Sequence, residues 1–486
     1  MNKDIKTLAP QAVWENFYAL TQIPRPSGHE EAIQDFVYNF GVKLGLETFK
    51  DEIGNILIRK PATPGMENRK GVVMQGHLDM VPQKNSDKVH DFTKDPIETY
   101  VDGDWVTANG TTLGADNGIG VAAAMAVLQA TNLKHGPVEA LFTATEETGM
   151  NGAFGLQADW IEADILLNMD SEDEGELYVG CAGGVDLNVE FAYDQLIVPE
   201  GLVALELNIS GLKGGHSGMD IVLGLGNANK LMVRFLRKVI ADLDVQVGSI
   251  VGGGLRNAIP REATATIVLP AESVAALKAE VLKYETLYKS ELSATEPNLS
   301  FAVKEGTMPA SIIEEYVLDN ALDAIHACPN GVIRMSDAMK GLVETSSNMA
   351  SVSAKDGVIS IACLLRSSVD SAKEELAERI ESVFTLAGGL VLTEGGYPGW
   401  KPNMESPILK TMQKVYQDKW NVVPEIRAIH AGLECGLLGA VYPAWDMISF
   451  GPTIRSPHSP DEKVNIASVD KFWTFLQLVL EQIPMK

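Results

Sequence analysis

Residues 11–186 alternate short apolar runs with helical stretches, and few architectures accommodate that rhythm. GNILIRK, GVVMQGHLDMV, VEALFTATEE and ADILLNMDSE each carry a β-rich apolar segment. Between them lie SGHEEAIQDFVYNFGVKLG, where Ser27 and Glu30 have the spacing of a capping box, and the small-residue helix GIGVAAAMAVLQA. Strands separated by helices predict an α/β sheet with covered faces. In such sheets ligands gather at the carboxyl ends of the strands, where the chemistry-bearing residues of this chain fall.

Near residue 187 the style changes. LNVEFAY, LVALELNISG, ATATIVLP and VISIACLLRSS alternate as strands, interspersed with helices such as NANKLMVRFLRKVIADL and SAKEELAERIESVFTLAG. That mixture predicts an α+β insertion with one face of its sheet covered. After GGYPGW the first style returns, ending in a C-terminal helix. With 486 residues the chain is too long for one compact core. The expected organisation is a discontinuous domain, residues 1–186 and 399–486, interrupted by a lid, residues 187–398. No internal sequence repeat or low-complexity segment is seen.

The balance of 39 basic against 65 acidic residues, net −26, opposes nucleic acid and anionic membranes as partners. No run approaches the roughly 18 apolar residues of a membrane span. The N-terminal stretch lacks an apolar core of signal-peptide length. Cys181, Cys328, Cys363 and Cys435 are far apart and form no CxxC pair. They read as buried small hydrophobes in a reducing compartment, so cytoplasm is the expected location.

Five segments draw attention. GHLDMV ends a strand with His77 and Asp79, two apart and facing the same way. A metal-binding histidine usually donates its other ring N–H to a carboxylate, and Asp79 is placed for that. GTTLGADNGIG sets Asp116 at the entrance of a helix, as an N-cap or as a bridge between two cations. Its glycines do not make a phosphate loop, since it has no lysine and a carboxylate would repel phosphate. TATEETG places Glu146 and Glu147 side by side; a solvated pair is the bland alternative. NMDSEDEG offers Asp170 first after the apolar run, and GPTIRSPHSPDE offers His458 in a proline-bounded loop. Two imidazoles and several carboxylates without thiolate suit Zn²⁺, Mn²⁺ or Co²⁺.

Taken together, GHLDMV, GTTLGADNGIG, TATEETG, NMDSEDEG, GGHSG and GPTIRSPHSPDE resemble the co-catalytic zinc exopeptidases of the aminoacylase and carboxypeptidase G type, over essentially the full chain. The resemblance implies an α/β fold, with a discontinuous two-zinc catalytic domain of mixed sheet flanked by helices and an inserted α+β lid that dimerises. It implies one Zn²⁺ on His77 and Asp170, a second on Glu147 and His458, and Asp116 bridging, with Co²⁺ or Mn²⁺ as substitutes. Asp79 then orients His77, and Glu146 is the general base for attack by a metal-bridging hydroxide. The family also has a cis peptide after the bridging aspartate. His216 and Asn257 are implied at the scissile carbonyl, Arg366 at the C-terminal carboxylate and Glu434 at the free amine. The remaining histidines, His29, His90, His135, His326 and His430, are read as structural or surface residues. In the resembling dimers the lid histidine reaches the partner's metal centre. The implied substrates are unblocked dipeptides, notably Xaa-His dipeptides including β-alanyl-histidine. An N-acyl amino acid amidohydrolase is the rival enzyme, against which Asp170 argues, because the resemblance associates glutamate there with aminoacylases. A non-catalytic binding protein is the rival outside enzymes.

Overall fold

The computed structural model describes residues 4–486. The chain divides into two compact units. One comprises the chain as far as Gly180 together with Pro402–Ala428 and Leu433–Lys486; the other comprises Cys181–Lys401 and Ile429–Gly432.

The first unit is built on an eight-stranded mixed sheet. Its strands lie in the order Glu47–Lys50, Ile56–Lys60, Val138–Thr143, Val72–His77, Ile165–Asn168, Asp446–Ser449, Glu176–Cys181 and Glu425–Ile429. Val138–Thr143, Val72–His77, Ile165–Asn168 and Asp446–Ser449 run parallel. The first three are buried along their whole length, which is why they read as continuous apolar runs. The helix Ala115–Gln129 is buried on nearly every side, and its small residues allow that. A Cβ added at Gly120 would lie 2.5 Å from the Met169 carbonyl oxygen, so a larger residue would push the helix off the strand end. A smaller sheet, in the order Ile454–Arg455, Lys463–Asn465, Trp105–Ala108, Thr99–Asp102, folds the His458 segment back beside the entrance of that helix.

The expected capping box does not form. The helix Glu31–Lys43 begins after Glu30 with no side-chain cap. Ser27 Oγ donates instead to Asp79 Oδ2 at 2.8 Å. Glu30 accepts from the amide and hydroxyl of Thr145 at 3.0 and 2.8 Å. Both side chains serve polar groups at the sheet's carboxyl edge, where an uncompensated partner would cost more than an exposed helix amide.

The second unit carries a nine-stranded sheet whose apolar side is covered by Ala228–Leu243, Val274–Glu291, Glu315–Ala327 and Asp370–Leu386. Its topology is duplicated. Leu202–Ser210, Ala228–Leu243, Gln246–Gly253, Ala263–Pro270, Val274–Glu291 and Ser300–Glu305 form a β-α-β-β-α-β unit with strands in the order 4-1-3-2. Gly183–Ala192, Glu315–Ala327, Val343–Lys355, Val358–Ser367, Asp370–Leu386 and Leu390–Tyr397 form another with the same order, the first being inserted after its opening strand. The second strands of the two halves, Gln246–Gly253 and Val343–Lys355, pair antiparallel and join the halves into one sheet. The repeat lies in topology, and no sequence repeat announces it.

Candidate active site

The loops that leave the parallel strands bring five of the expected residues together. His77 is buried at the end of Val72–His77. Its Nε2 lies 3.1 Å from Asp116 Oδ1 and 3.4 Å from Asp170 Oδ1. His458 Nε2 lies 3.2 Å from the other Asp116 oxygen and 2.9 Å from Glu147 Oε2. Asp116 thus stands between the two imidazoles, one oxygen to each, and the peptide that follows it, Asp116–Asn117, is cis. The candidate ligand atoms of His77, Asp116 and Asp170, of Asp116, Glu147 and His458, and of His77, Glu146 and Glu147 each fall within 4.8 Å of one another. Glu147 is paired with His458, whereas Glu146 has no such partner among the described residues.

Asp79, fully buried, closes the arrangement from behind. Its Oδ1 lies 3.3 Å from His77 Nδ1 and accepts the Glu146 amide at 2.9 Å; its Oδ2 accepts the Glu147 amide at 3.1 Å. One carboxylate therefore orients an imidazole and the backbone of both glutamates. Thr145, just before them, has φ +52°, a rare conformation for a β-branched residue, and Glu30 holds it there through two hydrogen bonds.

The charges of this cluster fit divalent cations. Burial pushes the Glu146 carboxyl well above the ordinary carboxylate range, and Asp170, Glu434 and Glu147 add repulsion. Burial lifts Asp170 to about 6. Asp79 is drawn down to about 2: burial opposes this, but His77, the Glu146 amide and Ser27 favour its charge. Burial also opposes protonation of His77, yet Asp170, Asp116 and Asp79 raise it well above its usual range. Hydrogen bonds to Asp116 and Glu147 push His458 up to about 11. Divalent cations bound there would offset the negative charge of these carboxylates, and their ligand atoms would be deprotonated. Glu147 Oε1 is buried with no hydrogen-bond partner, as a ligand atom held ready would be.

The second unit holds three expected substrate contacts. His216 Nδ1 accepts the amides of Gly218 and Met219, each at 3.1 Å, which assigns the proton of the neutral ring to Nε2. Burial and the nearby Arg366 lower its pKa, so the neutral donor form is favoured. Asn257 is adjacent: its carbonyl accepts the Ser217 amide at 2.8 Å, and both side chains line one open cleft. Arg366 is 5 % exposed and donates through Nη1 to Tyr397 Oη at 3.0 Å, while Nε has no partner. Among the described residues it makes no ion pair. Glu434, in the first unit, is fully buried. Its Oε2 accepts from Gln75 at 2.6 Å and Thr143 at 2.8 Å, Oε1 is unpartnered, and burial raises it to about 7.

Several contributors escape sequence reasoning. His430 is buried against Ser346 Oγ at 2.7 Å and held neutral, down to about 3, by burial and by Arg366 and His216. In the sequence, Glu434 stands out four residues on, and His430 reads as a structural or surface residue. Glu30 and Ser27 carried a signal, but one that reads equally as a helix cap. Arg25 and Glu462 carried none: their partners are main-chain atoms of distant residues.

Comparison with known proteins gives a consistent picture. The sequence profile of peptidase family M20/M25/M40 matches residues 73–482. The chain is 50% identical over 483 residues to the cytosol non-specific dipeptidase of Escherichia coli strain K12, covering 99% of this chain and 100% of that protein. It is similar to the crystal structure of aminoacylhistidine dipeptidase from Vibrio alginolyticus, with 48% identity and a TM-score of 0.95, covering 100% of this chain and 99% of that one. An aminopeptidase from Bacillus cereus shares the fold at 15% identity and a TM-score of 0.57, covering 98% of this chain and 99% of that one.

Proposed function

The chain belongs to peptidase family M20/M25/M40 and is a metal-dependent dipeptidase; we propose that it cleaves unblocked dipeptides, Xaa-His dipeptides and β-alanyl-histidine among them, with two Zn²⁺ ions per subunit that Co²⁺ or Mn²⁺ can replace. The observation that carries this reading is Asp116 standing between His77 and His458, with Asp170 and Glu147 completing the two clusters and Glu146 unpaired beside them. In this reading His77 and Asp170 hold one ion, Glu147 and His458 the other, and Asp116 bridges. Bound there, divalent cations polarise the scissile carbonyl and lower the pKa of attacking water.

The chain's own residues do the rest. Glu146, free of a pairing duty, takes the proton of the attacking water and delivers it to the leaving nitrogen. His216 donates its Nε2–H to the oxygen that gains charge, and Asn257 assists at the same carbonyl. Arg366 takes the C-terminal carboxylate; a buried guanidinium without a carboxylate partner suits an incoming anion. Glu434 receives the free amine through the oxygen that has no partner. Capture of both termini restricts the substrate to very short peptides.

The protein acts in the cytoplasm, a reading supported by the Escherichia coli relative's name; among the described residues no helix is long and apolar enough to cross a membrane. It forms a homodimer through the lid. Gln246–Gly253 pairs with Val343–Lys355 inside the lid sheet and offers no free edge to a second copy. Met219, Val222 and Leu223, exposed apolar residues close after His216, offer a contact surface. Mass measurement in solution tests it, a monomer being the contrary result.

The test of the activity is a dipeptide panel after metal removal and separate re-addition of Zn²⁺, Mn²⁺ and Co²⁺, with Ala-His beside N-acetyl-His. Metal-restored cleavage of Ala-His is expected. Preferred cleavage of the acetylated compound would establish the amidohydrolase instead.

A further inference from the structure

We infer that Glu462, acting with Arg25 on the same loop, is a positioning residue that aims Asp116 and ties it to His458, and so governs how tightly the chain holds divalent cations. The inference rests on the reading that His77, Asp116 and His458 hold those cations.

Four successive amides point at one carboxylate. Glu462 Oε2 accepts from Leu113 at 2.7 Å and Gly114 at 2.9 Å; Oε1 accepts from Ala115 at 2.8 Å and Asp116 at 3.2 Å. The opening amides of a helix have no partner inside it, and a local N-cap side chain satisfies one or two. The four amides lie ahead of a kink in Ala115–Gln129, where Asp116 and Asn117 leave the helical backbone, and Gly114, with φ +71°, has no side chain to offer them. A Cβ at Gly114 would meet Arg25 Nη2 at 2.6 Å, so the loop has no room for a cap of its own. The acid arrives instead from a segment 346 residues away in sequence.

Arg25 grips the same loop by its carbonyls. Its Nη2 donates to Gly114 O at 2.5 Å, and its Nη1 donates to Leu78 O and Asp79 O at 3.0 Å each. Both Arg25 and Glu462 are 2 % exposed. Guanidinium and carboxylate thus hold one loop from its C=O side and its N–H side. They lock its backbone to the strand end that carries His77 and Asp79.

The placement of Glu462 ties the two halves of the site together. It follows His458 by four residues, and Thr107 Oγ1 donates to its carbonyl at 2.7 Å, fixing that turn. The side chain that orders the Asp116 backbone is therefore rooted in the turn that carries His458. A neutral cap would suffice to end a helix, and a buried charge is costly. Here a buried carboxyl group, accepting four amides, orders the backbone of the one residue whose carboxylate meets both imidazoles.

The test is Glu462→Gln and Glu462→Asp, with Zn²⁺ and Co²⁺ titrated into the metal-stripped full chain against a competing chelator, and the visible absorption of bound Co²⁺ recorded. The amide keeps the shape and presents an NH₂ to amide donors; the shorter acid keeps the charge and cannot reach all four. Weaker metal binding by about 10–100-fold at one site, with an altered Co²⁺ spectrum and turnover recovered in excess metal, is expected for a residue that orients ligands. Wild-type metal affinity in a variant whose metal-free form melts earlier would overturn the inference, making Glu462 a cap alone. If Glu462→Gln does not fold, Glu462→Asp decides by the same readings. If the wild-type chain binds neither metal, the underlying reading fails instead, and that result is distinct from a variant that binds as wild type does.

Discussion

Asp79 lies 3.3 Å from the Nδ1 of His77 and at the same time accepts the amides of Glu146 and Glu147. Removing its carboxylate loosens an imidazole and the turn that carries two glutamates. Asp79→Ala is expected to weaken metal binding by about 10–100-fold, the usual effect of losing a partner that orients a ligand. Chelator competition measures it. Turnover should stay low even in excess metal, because Glu146 is also set adrift; full recovery in excess metal would limit Asp79 to the imidazole.

Glu146 and Glu147 are neighbours with different partners, and their substitutions should separate. Glu146→Ala removes a proton carrier. It should retain both metals and lose turnover by about 10²–10⁴-fold, as general acid–base removal does. Glu147→Ala removes the carboxylate that pairs with His458 at 2.9 Å, and should lower metal content first. Metal analysis of the two purified variants checks this. Metal loss in Glu146→Ala with normal content in Glu147→Ala would reverse the assignments.

How much of this was legible in the sequence depends on where each residue's partner lies. His77 ends one buried parallel strand and Asp170 and Glu147 follow two others, and an apolar run ending in a polar residue is a local signal. His458 and Asp116 stand in loops between breaker residues, also a local pattern. Glu30 and Ser27 broke the rule. Their spacing fits a helix cap, but a tertiary partner at Thr145 and Asp79 outweighed it. Arg25 and Glu462 were silent, because a side chain that serves only main-chain atoms leaves no pattern in its partner's sequence. The duplicated lid was equally silent. Strand order is set by which buried faces meet, and its two halves share that order without shared residues.

His216 has its Nδ1 occupied by two backbone amides, leaving Nε2–H as the donor. His216→Ala should therefore retain metals and lose about 10²–10³-fold in turnover, the scale of one lost oxyanion donor. Metal content and kcat on the same preparation check it. A fall in metal content would mean the histidine acts through the ions and not on the substrate.

Arg366 is a buried guanidinium whose Nη1 reaches Tyr397 and whose Nε has no partner. If it receives the substrate carboxylate, its value lies in binding a group that is present before, during and after bond cleavage. Loss of such uniform binding raises KM more than it lowers kcat. Arg366→Ala should therefore raise KM for dipeptides strongly, by at least the tenfold that corresponds to roughly 1.4 kcal/mol of lost binding. Dipeptide amides lack the carboxylate and should be poor substrates for the wild type for that reason, so the substitution should change their KM little. The two substrate series should consequently converge in the variant. A structural role predicts something else: Arg366 sits beside His430 and His216, and a disturbed neighbourhood would damage both series alike. Arg366→Lys refines the distinction, since an ammonium keeps the charge but loses the planar two-point fit. Partial recovery for dipeptides, with none for amides, is the expected result. Equal loss for dipeptides and amides, unrelieved by lysine, would assign Arg366 to the packing of its own unit.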